Sequence, residues 1–307
     1  MPRYLRSSEI RAELASVESL LSELPEVDVV GRNSLEALRA SLAEDLRQIE
    51  EGIDTLASIA LYFGGGPVIG STGIDAQFAS KVIASYQDLV SKILTNPDPR
   101  SEETHVRASG SVEHLHVTAL LHGSMGFLIE EIEPRAVPLF PTPLKQATDR
   151  ADDVIVKLAD AGDETFEQQV EYLGPPAFNA ARHFFTTLHR AEATIRVVDS
   201  SHDATLRRDD VDRAFVRLED SSVEENDITE EGLLVGIIPV GGRFEFRRDN
   251  GELIAGKVAP TLSEAYLRRL ESEQAIGRRW RATIKRREVQ RFGRVKETYK
   301  LVDLKDV

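Results

Sequence analysis

A run of twenty residues without a charged side chain, Thr55 to Ile74 (TLASIALYFGGGPVIGSTGI), constrains the fold more than any other stretch, because 29% of the chain is Asp, Glu, Lys or Arg. A neutral run of that length is expected to pack against protein. The apolar residues Leu35, Leu38, Leu42, Leu46, Ile49, Ile53, Leu56, Ile59 and Phe63 recur every three or four positions, which predicts a long helix entering the run. Phe78, Val82, Ile83, Tyr86, Leu89, Val90 and Ile93 predict a second helix leaving it. Gly64, Gly65, Gly66, Pro67, Gly70 and Gly73 cannot continue a helix, so the expectation is a buried helix-turn-helix corner.

The segment from Gly65 to Thr72 also has the glycine spacing of a phosphate-binding loop. Ser71 stands where that motif needs its lysine, and the preceding segment reads as helix instead of the required strand. Thr72 and Asp75 fit a capping box that would occupy the free helix amides. Three glycines and a proline at the centre of the run argue against a membrane span, since unpaired amides in lipid cost several kcal/mol each.

Ahead of the run, residues 8 to 24 carry an apolar stripe that ends at Pro25, and Asn33 with Glu36 reads as the capping box of the next helix. Together they predict an antiparallel helical hairpin, or, because the stripe keeps a period near 3.5, a coiled coil with a second copy. TNPDPRSEE, residues 95 to 103, breaks the helical part. A hairpin is expected with strands near 112 to 121 and 126 to 133. Helices near 143 to 161, 163 to 173 and 177 to 190 follow, then strands in ATIRVVDS and ATLRR, then a helix at 208 to 219.

The last part changes character. GLLVGIIPV, RFEFRR, ELIAGKV, RRWRATIKRREV and RVKETYKLVDL are five strand-like runs, with Asn250-Gly251 as a tight-turn signal and the helix-like TLSEAYLRRLESE between the third and fourth. That order suits an OB-like barrel or an SH3-like one. The whole is therefore expected to be α+β: a helical region over 1–96, a central α+β domain with a small antiparallel sheet over 104–220, and a small C-terminal β-barrel over 221–307.

Charge is distributed unevenly. Gly277 to Lys300 holds ten basic and two acidic residues, a local balance of +8, which leaves −22 for the rest of a chain whose net charge is −14. Arg278, Arg279, Arg281, Lys285, Arg287, Arg291, Arg294 and Lys296 are the candidate partner-binding residues, facing either an external acidic partner or the protein's own acidic body. Phe244, Phe246, Trp280, Phe292 and Tyr299 accompany them, the combination that single-stranded nucleic acid needs for stacking. The acidic run Glu224, Glu225, Asp227, Glu230 and Glu231 is expected to be a solvated surface ahead of the barrel.

His114, His116 and His122, with Glu130 and Glu131 on the partner strand, outline a mixed nitrogen and oxygen metal set, which the same spacing on a solvated hairpin face explains as well. Ser124 lacks the glycine elbow of a hydrolase nucleophile. No cofactor and no metal is assigned. The absence of cysteine excludes disulfides and thiolate chemistry, and a charged start without an apolar core points to the cytoplasm and to no membrane association.

The phrases LYFGGGPVIGSTGIDAQFASKVIASYQDLVSKIL and GSMGFLIEE resemble uncharacterised bacterial proteins that share such a glycine corner and a β-rich C-terminal segment. The resemblance implies no activity and no functional residue. The expectation is a non-enzymatic interaction or assembly protein, engaging a protein partner or its own copy through the basic barrel. Nucleic acid binding by the same barrel is the alternative, and a metal-dependent hydrolase a distant third.

Overall fold

The computed structural model describes residues 2–24, 29–52, 54–95, 114–121, 125–132, 138–259, 262, 267–268, 270, 275–291 and 293–307. The chain is a mixed α+β protein that divides into two compact units. The first comprises Met1–Pro97, Glu103–Gln169 and Asn179–Phe215, and the second Asp98–Glu102, Val170–Phe178 and Val216–Val307. Among the described residues no helix is long and apolar enough to cross a membrane.

In the first unit, α1 (Arg3–Glu23) and α2 (Val29–Glu51) lie side by side. Arg11 meets Glu50 at 2.6 Å, Arg3 reaches the carbonyl of Gly52, and Arg32 donates to the carbonyl of Leu24 at 3.4 Å. Val17 and Leu42 are the buried apolar positions of the two helices. Two expectations fail here. Asn33 is inside α2 and caps nothing, and α2 stops at Glu51 instead of running on to Phe63.

The neutral run instead forms β1 (Ser58–Gly65). It is followed by a small hairpin, β2 (Val68–Ile69) and β3 (Gly73–Ile74), and by α3 (Ala76–Thr95). Next come β4 (Leu115–Leu121), β5 (Met125–Glu131), α4 (Pro143–Ala159), α5 (Asp163–Tyr172), α6 (Pro175–Arg190), β6 (Ala193–Val198), β7 (Asp203–Leu206) and α7 (Arg208–Glu219). The antiparallel sheet has the order β4-β5-β1-β6-β7, so β1 is its middle strand. Ile59, Ala60 and Leu61 are fully buried. A strand covered on both faces is apolar at nearly every position, and such a run satisfies a helical period by coincidence. That is why the helix-turn-helix corner is not there.

The glycines have a different task from turning a helix. A Cβ on Gly65, whose φ is 83°, would sit 2.3 Å from the carbonyl oxygen of Glu192, and Gly66 donates its amide to that same oxygen. They let the turn between α6 and β6 cross the end of β1 at backbone distance. Beyond them Pro67 is buried, but Ile69, Ser71 and Thr72 are exposed at the tip of the β2–β3 hairpin. Asp75 alone caps α3, accepting from Phe78 N at 2.7 Å, while the Thr72 hydroxyl donates to Ile69 O, so the expected capping box is not formed.

The core of this unit gathers Leu61 and Phe63 of β1, Val82 and Leu89 of α3, Leu144 and Ile155 of α4, and Phe184, Phe185 and Leu188 of α6. Phe63 meets Phe78 edge-on, ring centres 5.4 Å apart. Each fully buried side chain of that size stabilises the fold by about 1.5–3 kcal/mol.

The second unit is built on β8 (Ser221–Ile238), β9 (Arg243–Arg248), β10 (Leu253–Val258), β11 (Arg279–Arg291) and β12 (Arg294–Asp306). The sheet closes on itself in the order β10-β12-β11-β8-β9, and β10 with β12 is the parallel pair, Lys257 opposite Lys300 and Val258 opposite Leu301. Phe244, Phe246, Ile254, Trp280, Ile284 and Leu301 fill its interior. Gly256 lies where β12 crosses, with room for no Cβ: one would stand 2.0 Å from the Tyr299 carbonyl oxygen. The expected TLSEAYLRRLESE helix falls largely outside the described residues. Leu267, Arg268 and Leu270 are helical, and both leucines belong to the interior cluster.

Candidate functional site

The strand register determines what the basic stretch faces. β8 and β11 are antiparallel neighbours, with Arg281 opposite Glu231, Lys285 opposite Asp227, Arg287 opposite Glu225 and Glu288 opposite Glu224. The acidic run is therefore part of the closed sheet and not a lead-in to it, while Glu224, Glu225 and Asp227 stay exposed as expected; the opposite charges facing Arg281, Lys285 and Arg287 favour that register. Arg281 meets Glu231 at 2.6 Å, Arg279 meets Asp249, and Lys285 lies 3.9 Å from Glu225.

Arg287 is held differently. It donates to the backbone carbonyls of Val170, at 2.8 Å, and Leu173, within the short segment of α5 and its following turn that belongs to the same unit. Burial lowers its pKa from the usual guanidinium value, with Glu225 and Glu171 opposing. A guanidinium at a helix C-terminus meets the negative end of the helix dipole and satisfies carbonyls without a partner in the helix. Lys296 pairs with Glu171 at 2.9 Å beside it. Arg291 is half-buried at the end of β11, while Arg278 and Arg294 are exposed. Arg279, Arg281, Lys285, Arg287 and Lys296, all among the basic residues singled out in the sequence, thus meet protein acceptors.

The aromatic half of the stacking expectation fails on burial. Phe244, Phe246 and Trp280 point into the closed sheet at 1%, 0% and 7% exposure, and Trp280 Nε1 donates to Ala275 O at 3.0 Å. Tyr299 packs against the same core and donates its hydroxyl to Glu297. Phe292 is outside the described residues. Inward aromatics cannot offer faces to bases.

The first unit holds a cluster that sequence reasoning missed. Tyr86 of α3 donates to Asp152 Oδ1 of α4 at 2.7 Å, and both residues are completely buried. Asp199, 1% exposed at the end of β6, accepts from the backbone amides of Ser201 and His202 and meets His202 Nδ1 at 2.9 Å. Lys145 of α4, also buried, bonds Asp149 and the Ser200 hydroxyl, the latter at 3.0 Å. Burial, with the Asp199 carboxylate beside it, pushes the Asp152 carboxyl well above the usual carboxylate range. A neutral Asp152 carboxyl directed at Asp199 accounts for the Oδ2 atom that otherwise has no partner among the described residues. Burial likewise raises Asp149, against the pull of Lys145, and raises Tyr86 strongly. The arrangement can hold one proton between two carboxyls, and it ties α3, α4 and the β6–β7 turn together. The sequence signal for it is the spacing of Lys145, Asp149 and Asp152, which places three charged residues along the stripe that also carries Leu144, Ala151 and Ile155.

The histidine set is described only in part. His114 and His116 are exposed, and His122, like Ser124, is outside the described residues. Glu130 accepts from Ser58 at 3.0 Å and Thr118 at 2.6 Å, and Glu131 accepts from Thr142 at 2.6 Å and Ala57 N at 2.9 Å, so these carboxylates knit strands together. Among the described residues no group of three or more His, Cys, Asp or Glu is placed to hold a metal ion. The phosphate-loop reading gains the strand it lacked, since β1 precedes the glycines. Ser71 still replaces the lysine, and the loop is folded into its own hairpin. No protein-family model matches the chain, and no curated protein and no solved structure matches it either.

Proposed function

We propose that this is a non-enzymatic interaction protein whose C-terminal closed sheet is an OB-like barrel presented to a partner. The observation that carries this reading is the strand order, in which three antiparallel strands are followed by a helical segment and two more strands, and the third and fifth strands run parallel. That is the connectivity of the OB barrel, a module that uses the outer face of its second and third strands to bind extended ligands. Here those strands are β9 and β10. Their inward residues build the core, while Arg243, Glu245, Arg247, Leu253, Ala255 and Lys257 face outward and are exposed.

The test places a photo-crosslinking amino acid at Ala255, on the outer face of β10, in the full chain within the source cells. The same group at Glu18, exposed on α1, is the control. A discrete adduct from position 255 and none from position 18 is the expected result. Adducts only from position 18 would overturn the reading.

A further inference from the structure

We propose that the outer face of β9 and β10 binds an extended acidic polypeptide of the pattern acid-x-apolar-x-acid, its two carboxylates held by Arg247 at one end and by Arg243 with Lys257 at the other. The inference rests on the interaction-module reading above and names the partner class for that surface. Register lays the face out in three rows. Arg247 is opposite Leu253 of β10 and Leu233 of β8, Glu245 is opposite Ala255 and Gly236, and Arg243 is opposite Lys257 and Ile238. Phe244, Phe246 and Ile254, which alternate with these residues, are buried in the core, so the outward side chains share one face.

Positive charge on this face is unmatched. Arg243, Arg247 and Lys257 are exposed, and among the described residues none of the three meets an acceptor. Arg243 and Lys257 are directly opposite, a like-charge pair that a carboxylate seated between them would turn from repulsion into attraction. Lys300, next in register beyond Lys257, is already engaged and is not part of the site. Glu245, the acid between the two arginines, lies over β8: a Cβ on Gly236 would stand 3.6 Å from its Oε2. The middle of the face is therefore left to Ala255 beside Leu253, 52% exposed, an apolar floor between two cationic ends.

Spacing selects the ligand. Arg247 and Arg243 are four residues apart on one strand, about 13 Å at the rise of a strand, and positions i and i+4 of an extended peptide are equally far apart and on the same side. Position i+2 then falls over Ala255 and Leu253, where an apolar side chain is removed from water. A nucleic acid strand carries a charge at every residue, so it would set a phosphate over that apolar floor and close to Glu245. It would also find no face on which to stack a base, since Phe244, Phe246 and Trp280 are turned inward. Because the sheet is closed, the peptide has no strand edge to extend and is recognised through side chains.

Fluorescence anisotropy of the full chain with the labelled peptide GESLSEG, its isomer GEESLSG and a labelled 20-nucleotide oligo-dT tests the site. GESLSEG is expected to bind about two- to fivefold more tightly than the isomer, whose second carboxylate is at the wrong spacing, and oligo-dT to bind more weakly than either. Arg247→Gln is expected to weaken GESLSEG about two- to fivefold, and the double variant Arg243→Gln/Lys257→Gln by about fivefold or more. Arg281→Gln, whose guanidinium already pairs with Glu231, is expected to change nothing. An unaltered Trp280 unfolding profile shows that each variant keeps its fold. Absence of GESLSEG binding, equal affinity for the isomer, or unchanged affinity in Arg247→Gln and in the double variant would each overturn the inference. Tighter binding of oligo-dT that is lost in the same variants would assign the face to nucleic acid and overturn it as well. If the position-255 adduct persists while the peptide fails, this inference falls and the interaction-module reading stands. If both fail, that reading falls with it.

Discussion

The two units treat charge in opposite ways. The first buries it: Lys145, Asp152 and Asp199 are each at most 5% exposed and are embedded in a polar cluster that joins two helices to a strand turn. The second, Arg287 apart, leaves charge at the surface, with the acidic part of β8 laid along the basic part of β11. Removing one member should be severe in the first case, where nothing replaces the lost partner, and mild in the second, where water does. A stretch with a local balance of +8 is consequently far less available to an outside ligand than its composition suggests.

This contrast can be broken by unfolding each unit separately. Trp280, the only tryptophan, sits in the core of the second unit, and far-UV circular dichroism follows the helix-rich first. Asp199→Ala is expected to have the largest effect, about 3–5 kcal/mol, since it strips the amides of Ser201 and His202 of their acceptor and leaves the neighbouring buried groups unmatched. The loss should appear in the dichroism transition and not in Trp280 fluorescence. Arg287→Met keeps the aliphatic stem but deprives the carbonyls of Val170 and Leu173 of their donor, and should cost about 1.5–3 kcal/mol in the fluorescence transition.

Asp152 sharpens the comparison through pH. Its folded-state pKa is raised, so the folded protein keeps a proton that the unfolded chain releases near pH ~3.9. The stability this group contributes is complete below that pH and is lost as pH rises through the folded value. Asp152→Asn replaces the acid with a permanently neutral amide, and urea midpoints of the first unit should then fall less from pH 5 to pH 8 than in the parent. A parent and variant with the same pH dependence would remove the neutral carboxyl. The smallest effect belongs to Arg281→Gln, which should change the stability of the second unit by about 0–1 kcal/mol despite its 2.6 Å ion pair, because both partners are exposed.

Local signals were legible where period and punctuation agreed. The helix at 208–219 and those beginning near 143, 163 and 177 fall within a few residues of their expected bounds, and Asn250-Gly251 forms the turn it announces, Gly251 adopting a φ of 88°. The order of the five C-terminal strands was readable for the same reason. What failed needed long-range partners. Ser58–Gly65 looks helical until β5 and β6 are placed on either side of it. The acidic run in β8 looks like a lead-in to the sheet until a basic strand far along the chain pairs with it. The Asp152–Asp199 cluster joins residues from three distant segments, of which the sequence displays only the misplaced charges of α4.

The parallel contact between β10 and β12 has a consequence for biosynthesis. β8, β9 and β10 leave the ribosome before β11 and β12, so the carboxylates of β8 emerge without the arginines that later neutralise them. Until the stretch around Lys300 and Leu301 arrives, nascent chains carry two open sheet edges where the finished ring has none, and a truncation ahead of that point would leave those edges ready to recruit other chains.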